Sequence, residues 1–184
     1  MLGLFGGAFD PPHRGHIELA RRATEALGLD RLVVLVSAAP EHKHVETPAA
    51  VRLRLAQAAF PDDEVLLDVH PRTVDALRAH PEWTESIVLI GADQFRDFLS
   101  WKEPNEVLAL TRLGVATRPG FPQDRLDEVL AALEAPDRVE FFEIEPTPVS
   151  SRGLRSRLAA GGSAGDDVPP AVAELIRAES LYRA

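Results

Sequence analysis

The sequence predicts an α/β fold in which helices cover both faces of an open, mostly parallel β-sheet. Short runs rich in Val, Ile and Leu recur along the chain, and amphipathic segments with helical spacing separate them. Strands and helices that alternate in this way form a mainly parallel sheet with both faces covered. The chain has 184 residues, a length that fits a single domain over residues 1–184 with one sizeable core.

The amino-terminal part of the chain predicts a complete strand–helix–strand unit. Residues 2–5 form a short apolar strand, and residues 31–37 form a buried strand because they are a continuous apolar run. The helix between them buries one face, which consists of Ile17, Ala20, Ala23 and Leu27. Gly28 follows this face and ends the helix.

The alternation continues to the carboxyl end and predicts a Rossmann-like fold. Further strands are predicted at 64–68, 86–90, 113–117 and 139–144. Helices are predicted at 48–60, 73–80, 95–101, 104–109 and 124–133, and from Ser150 to the glycines at 161–162. A polar, mobile linker is expected at about 161–168, and Pro169-Pro170 opens a final helix that reaches about residue 180. In such sheets ligands bind beyond the carboxyl ends of the strands.

Composition excludes several classes of protein. The chain has no cysteine, which removes disulfides, thiolate nucleophiles and Cys-based metal sites. Its net charge of −9 argues against general binding to nucleic acid or to anionic membranes. The first apolar run is short and contains glycines, and no run approaches the roughly 20 apolar residues of a membrane span. We therefore expect a cytoplasmic protein.

Basic residues nevertheless cluster at three places. These clusters are His13, Arg14 and His16; His42, Lys43 and His44; and Arg152, Arg155 and Arg157. They predict either an anion pocket fed by three loops or three solvated surfaces.

The amino-terminal segment carries the clearest functional pattern. A strand runs into Gly6-Gly7, a turn at Pro11-Pro12 follows, and His13 and His16 stand where a helix begins. Glycines let backbone N–H groups approach an anion, and a helix start adds a positive dipole end. Two imidazoles at this place can donate hydrogen bonds to phosphate oxygens. The segment therefore predicts a phosphate site.

Other nucleotide and metal motifs are absent from the sequence. It contains no Gly-x-x-x-x-Gly-Lys-Ser/Thr run, no Gly-x-Gly-x-x-Gly in the first strand–helix turn and no His-Glu-x-x-His. A metal site on His13 and His16 lacks a nearby Cys or a clear third ligand. We therefore expect no metal bound by the protein itself.

Two segments at opposite ends of the chain resemble one family. Residues 6–16, Gly-Gly-Ala-Phe-Asp-Pro-Pro-His-Arg-Gly-His, resemble the signature Gly-Gly-Thr-Phe-Asp-Pro-x-His-x-Gly-His of adenylyltransferases in the nucleotidyltransferase superfamily, with Ala8 where Thr is usual. Residues 149–155, Val-Ser-Ser-Arg-Gly-Leu-Arg, are similar to its second signature, Ile-Ser-Ser/Ala-Thr-x-Ile-Arg, with Arg152 where Thr is usual.

Intermediate features resemble the bacterial nicotinate-nucleotide adenylyltransferases within that superfamily. They are Pro-Glu-His-Lys at 40–43, Ile-Gly-Ala-Asp at 90–93 followed by Trp101, Arg-Pro-Gly at 118–120, and Leu-Tyr-Arg at 181–183. One segment departs from the family: Pro-Arg-Thr at 71–73 stands where Ser-Tyr-Thr is usual. Thr73 is retained and the aromatic residue, in a loop that helps to hold the pyridine end, is lost.

The resemblance implies a transferase of NAD biosynthesis that joins ATP and nicotinate mononucleotide into nicotinate adenine dinucleotide and releases pyrophosphate. No protein nucleophile is needed, and Mg²⁺ comes with the triphosphate. The expected partners are these two nucleotides, without nucleic acid or membrane, and the oligomeric state stays open. Alternatives are a related adenylyltransferase with nicotinamide mononucleotide or pantetheine phosphate as acceptor, and an ATP sensor without turnover.

The resemblance also implies roles for individual residues. The catalytic residues would be His16 and His13. ATP would be bound by Gly7, Ala8, Phe9, His13, His16, Gly91, Asp93, Ser150, Ser151 and Arg155. Nicotinate mononucleotide would be bound by His42, Lys43, Thr73, Trp101 and Arg118. Taken alone, the two serines are also compatible with a helix cap, Trp101 with the core, and Arg118 with a brace for its turn.

Overall fold

A six-stranded sheet forms the centre of the computed structural model, which describes residues 1–40 and 45–183. The strands are β1 (Leu2–Gly7), β2 (Arg31–Ser37), β3 (Glu64–Asp68), β4 (Ser86–Gly91), β5 (Arg112–Thr117) and β6 (Val139–Glu143). All neighbouring pairs are parallel. The predicted fold class is confirmed, and every predicted strand is present within two residues of its expected ends.

The strand order is β3-β2-β1-β4-β5-β6. From β1 the chain first adds strands toward one edge of the sheet, through β2 and β3, and then toward the other edge, through β4, β5 and β6. Phe5 in β1 lies opposite Val34 of β2 on one side and Leu89 of β4 on the other. Ligands of open parallel sheets bind at such a switch, beyond the carboxyl ends of the strands. This order places the loops after β1 and β4 side by side at the predicted ligand edge.

Helices cover both faces of the sheet. They are α1 (Arg14–Leu27), α2 (Ala49–Ala59), α3 (Thr73–Ala79), α4 (Ala92–Arg96), α5 (Pro104–Leu110), α6 (Gln123–Ala131), α7 (Ser151–Ala159) and α8 (Pro170–Ala178). Helices α1, α2, α7 and α8 pack on the face that contains Phe5 and Val34. Helices α3, α4, α5 and α6 pack on the face that contains Leu4 and Val33. Successive strand residues therefore feed two separate cores, as the pleat requires.

Two glycines are required by local geometry. Gly28 ends α1 with φ 63°, and its N–H donates to the carbonyl of Thr24, which confirms the predicted helix stop. Gly114 lies where a Cβ atom would stand 2.8 Å from Leu27 Cδ1. A larger residue there would push α1 away from β5.

The boundaries differ most after β4. We expected one helix over 95–101, but α4 begins at Ala92 and a 3-10 turn occupies Phe98–Ser100. The start is earlier because Gly91 acts as the N-cap, and its N–H donates to Gln94 Oε1 at 3.2 Å. Asp93 consequently lies in the first turn of a helix.

The segment 161–168, where we expect a mobile linker, contacts the rest of the molecule. Ala164 and Val168 are buried in the core on the face covered by α1, α2, α7 and α8. Arg157 of α7 donates hydrogen bonds to the carbonyl of Ala164 at 3.0 Å and to the carboxylate of Asp167 at 2.6 Å. Within the described residues, no helix combines the length and apolar character that crossing a membrane requires.

Candidate active site

The two signature histidines contact each other at the start of α1, with ring centroids 3.8 Å apart and ring planes tilted by 36°. His13 is the N-cap, and its Nδ1 accepts the N–H of Gly15 at 3.1 Å. His16 Nδ1 accepts the N–H of His13, also at 3.1 Å. A neutral imidazole whose Nδ1 accepts carries its proton on Nε2. The backbone therefore makes Nε2 the donor atom of both rings.

Phe9 shapes the loop between β1 and the histidines. It is buried and has φ 50°, a left-handed conformation that non-glycine residues adopt at a cost. Its ring centroid lies 5.1 Å from that of His16, and a Cβ atom on Gly7 would stand 3.0 Å from the same ring. The backbone of Gly7, Ala8 and Phe9 is thereby held at the carboxyl end of β1, next to His16.

The loop also contains a buried carboxylate, Asp10, which is 3% exposed. Tyr182 Oη donates to Asp10 Oδ1 at 2.8 Å, and Arg155 Nη1 donates to the Asp10 carbonyl at 2.6 Å. The same Nη1 lies 3.6 Å from Asp10 Oδ2. Burial, followed by the negative charge of Asp10, raises the pKa of the Tyr182 hydroxyl well above its usual value. Tyr182 therefore remains a donor at any working pH.

Arg52 is a second buried group that the sequence analysis missed. It is 1% exposed and its guanidinium donates hydrogen bonds to four carbonyls. The acceptors are Thr47, Ala8, Ser37 and Ala38, at 2.7–3.0 Å. Burial lowers its pKa, and the negative charge of Asp10 acts in the opposite direction. Arg52 ties the loop after β1 to the loop after β2.

The second signature segment packs directly against the first. Ser150 is the N-cap of α7, and its Oγ accepts the N–H of Gly153 at 3.1 Å. Ser151 Oγ donates to the carbonyl of Pro11 at 2.9 Å. Together with the bond from Arg155 to Asp10, these contacts bring the predicted ATP residues of both chain ends to one place.

The predicted residues after β4 lie at the same edge of the sheet. Gly91 is the last residue of β4, and Asp93 stands in the first turn of α4. The Asp93 side chain is 67% exposed, with Arg96 Nη1 3.6 Å from its Oδ1. Both positions lie at the carboxyl end of β4, which neighbours β1 at the switch in strand order.

The residues predicted to bind the mononucleotide lie in several separate segments of the chain. Trp101 is partly buried against Phe98, with ring centroids 5.2 Å apart. Thr73 is the first residue of α3, and a 2.7 Å ion pair between Lys102 and Asp75 ties the Trp101 segment to that helix. Arg118 is exposed after β5, and its carbonyl accepts the N–H of Phe121 at 3.0 Å. His42 and Lys43 lie outside the described residues.

The site as a whole is rich in hydrogen-bond donors. The amino-terminal ends of α1 and α7, two imidazole Nε2 atoms and the Arg155 guanidinium lie around one loop. This set is suited to an anion with several oxygens, such as a polyphosphate. The sequence showed these donors, but it did not show Asp10, Arg52 or Tyr182, although Asp10 and Tyr182 stand inside segments that carry the resemblance.

Comparison with known proteins identifies the family of this chain. The family model described as cytidylyltransferase-like matches residues 4–157, which include both signatures. The chain belongs to the cytidylyltransferase-like family.

Three relatives that match this chain over nearly its full length share one name, probable nicotinate-nucleotide adenylyltransferase. The relative from Rubrobacter xylanophilus is 36% identical and covers 100% of this chain and 92% of its own length. A relative from Thermus thermophilus is 36% identical, with 99% of both chains covered. The Bordetella pertussis relative is 35% identical, with 99% and 98% covered. This member of the cytidylyltransferase-like family therefore groups with the nicotinate-nucleotide adenylyltransferases, as the sequence motifs predicted.

Solved structures show the same fold. Plasmodium falciparum nicotinic acid mononucleotide adenylyltransferase complexed with NaAD superimposes with a TM-score of 0.75 at 17% identity, covering 98% of this chain and 96% of that one. The same enzyme complexed with APC gives a TM-score of 0.73 at 16% identity, with the same coverage. These comparisons confirm the Rossmann-like architecture of the cytidylyltransferase-like chain.

Proposed function

We propose that this protein transfers the adenylyl group of ATP to nicotinate mononucleotide, forming nicotinate adenine dinucleotide and pyrophosphate in NAD biosynthesis. The names of its full-length relatives support this reaction. The observation that carries it is the pair His13 and His16, whose Nδ1 atoms accept backbone N–H groups and leave Nε2 as the donor of each neutral ring. Such donors beside a helix start fit phosphoryl chemistry.

The reaction requires positioning and charge stabilisation from the protein. A phosphate oxygen of the mononucleotide attacks the α-phosphorus of ATP, a new P–O bond forms, and the bond to pyrophosphate breaks with the charge leaving on pyrophosphate. Fixed donors aimed at the α-phosphate oxygens stabilise the charge in the transition state. His16, supported by His13, takes this role, and the backbone of Gly7, Ala8 and Phe9 lines the path of the nucleotide.

The leaving group lies toward α7. Ser150 and Ser151 stand at its amino-terminal end, and Arg155 is one turn further along the helix. A guanidinium binds phosphate with two parallel hydrogen bonds, and the helix start adds a positive dipole end. These groups hold the β- and γ-phosphates, while Gly91 and Asp93 contact ribose beyond β4.

The acceptor nucleotide lies at the same edge of the sheet. Trp101 stacks on the pyridine ring and Thr73 borders it, in the position set by the Lys102–Asp75 ion pair. His42, Lys43 and Arg118 hold the acceptor phosphate.

Mg²⁺ enters with ATP as part of the substrate. Asp10, the buried carboxylate of the loop, accepts a hydrogen bond from Tyr182, and His13 and His16 use Nδ1 as acceptors for backbone groups. These residues suit hydrogen bonding more than metal ligation. Mg²⁺ keeps several waters and binds through substrate phosphates, so it reduces phosphate charge without a dedicated protein cage.

The test is pyrophosphate release with ATP and Mg²⁺ and three acceptors in parallel: nicotinate mononucleotide, nicotinamide mononucleotide and phosphopantetheine. We expect the nicotinate compound to be used best. Turnover with another acceptor alone would retain adenylyl transfer and reject the acceptor pocket. ATP binding without pyrophosphate release from any acceptor would reject the enzyme.

A further inference from the structure

We infer that Tyr182, in the carboxyl-terminal segment, is a positioning residue for ATP that acts through Asp10 and Arg155. This inference rests on the proposed function, because it assigns Arg155 to the phosphates of ATP. It adds Tyr182 to the residues that act on the nucleotide site, although Tyr182 lies beyond the segment that the family model matches.

The contact runs in series through three side chains. The Tyr182 hydroxyl donates to Asp10 Oδ1 at 2.8 Å. The Arg155 guanidinium donates to the Asp10 carbonyl at 2.6 Å and lies 3.6 Å from Asp10 Oδ2. Asp10 is 3% exposed, and in the sequence it lies between Phe9 and the two histidines. The hydroxyl and the guanidinium therefore approach the same buried residue from two different elements.

The charge of a buried carboxylate beside a phosphate site must be compensated. Uncompensated, it repels the phosphate and attracts the guanidinium that would otherwise bind the phosphate. The Tyr182 hydroxyl satisfies Oδ1 without adding a charge. The Asp10 carboxylate therefore attracts the Arg155 guanidinium less strongly. The guanidinium stays oriented by its hydrogen bond to the Asp10 carbonyl and can bind a phosphate. Without the hydroxyl, Oδ1 loses its donor, and Arg155, whose Nη1 lies 3.6 Å from Asp10 Oδ2, can move to replace it.

The tail that carries Tyr182 is also held by contacts that do not involve Asp10. Glu179, directly after α8, accepts two hydrogen bonds from Arg54 of α2, at 2.7 and 2.8 Å. Leu181 packs against the core on the face covered by α1, α2, α7 and α8, and its N–H donates to the carbonyl of Ile176. Ser180 and Tyr182 have φ of 52° and 63°, a left-handed conformation that non-glycine residues keep only where their surroundings hold it. The Asp10 contact is one such constraint.

The experiment compares Tyr182→Phe with Glu179→Gln. The first removes one oxygen atom and keeps the packing of the ring, while the second weakens the anchor of the same tail away from Asp10. ATP affinity is measured by calorimetry, KM for each substrate by pyrophosphate release, and stability by thermal unfolding. We expect Tyr182→Phe to weaken ATP affinity and raise KM for ATP by about tenfold, the size of one hydrogen bond to a charged group. KM for nicotinate mononucleotide should stay within about twofold, and Glu179→Gln should lower the unfolding temperature without changing ATP affinity.

A double-mutant cycle tests the route through Asp10. In an Asp10→Asn background, Tyr182→Phe should change ATP affinity by less than about twofold, because the charge that it compensates is gone. The inference is overturned if Tyr182→Phe leaves ATP affinity unchanged, if Glu179→Gln weakens it equally, or if the two substitutions at 10 and 182 act independently. Failure of the proposed function is separate: the wild-type protein would then bind ATP without turning over nicotinate mononucleotide, and calorimetry would still measure the Tyr182 effect.

Discussion

Ser151 Oγ donates a hydrogen bond to the carbonyl oxygen of Pro11, 2.9 Å away, and so joins two residues 140 positions apart in the chain. Pro11 belongs to the amino-terminal signature, and Ser151 is the first residue of α7. The neighbouring Ser150 caps the same helix through Gly153. The two serines therefore differ in their contacts. Ser151 connects α7 to the loop after β1 through a hydrogen bond, and Ser150 is exposed at the start of the helix.

Replacement of Ser150 separates its capping role from a role in phosphate binding. Asp and Asn both cap helices about as well as Ser, so Ser150→Asn and Ser150→Asp should unfold within a few degrees of the wild type. Ser150→Asp adds a negative charge at the proposed triphosphate position and should weaken ATP binding by about tenfold or more. Ser150→Asn is the matched control and should bind ATP almost normally. Equal ATP affinity in both variants, measured by calorimetry, would place the triphosphate elsewhere.

Substitution of His16 by Ala should lower kcat by about two to three orders of magnitude, the loss typical of one fixed donor in a transition state. The substitution also removes the acceptor of the His13 N–H, which should cost stability by about 1 kcal/mol, so the fold should persist. His80→Ala is the control, because His80 stacks on Trp83 away from the loop and its loss should leave kcat unchanged. Steady-state pyrophosphate release measures kcat of both variants. Near-normal turnover in His16→Ala would reject the role assigned to His16.

Arg52→Met should be one of the most destabilising single substitutions outside the apolar core. It leaves four carbonyls in two loops without their donor, and we expect a loss of about 3 kcal/mol in the free energy of unfolding. Arg54→Met on the same helix removes an exposed pair with Glu179 and should cost no more than about 1 kcal/mol. Urea unfolding of both variants measures the difference, and similar losses would show that Arg52 does not hold the loops.

Periodic apolar patterns predicted the strands because each pattern is local. The run at 31–37 and the face with Ala20 and Ala23 were sufficient to place β2 and α1. The phosphate loop was predicted for the same reason, since its glycines and histidines are adjacent in sequence. The placement of α4 was wrong by three residues at its start, because a cap formed by Gly91 and Gln94 leaves no apolar signal.

Contacts between residues that are far apart in the sequence could not be predicted from such local patterns. Arg52 stands in α2, where a charged residue is typical of an exposed face, yet its acceptors lie in the loops after β1 and β2. Tyr182 reaches Asp10 across 172 positions. Neither contact follows from spacing, because each depends on how finished elements pack.

Asp63 makes the stability of the protein depend on pH. Burial, with a smaller effect from the charge of Asp62, raises the pKa of the Asp63 carboxyl above its usual value of 3.8. The folded state therefore binds this proton more tightly than the unfolded state. Stability is lost as pH rises from about 3.8 through the raised pKa, and the whole loss is present at neutral pH.

Asp63→Asn removes this penalty and should raise the free energy of unfolding at pH 7. At about pH 3 the native carboxyl is largely protonated in both states, so the gain should disappear there. Asp62→Asn is the graded control: Asp62 acts on Asp63 through its charge alone, and the gain at pH 7 should be smaller. Urea unfolding of the three proteins at the two pH values measures these differences. A gain for Asp63→Asn that is equal at both pH values would mean that its carboxyl titrates alike in the folded and unfolded chains.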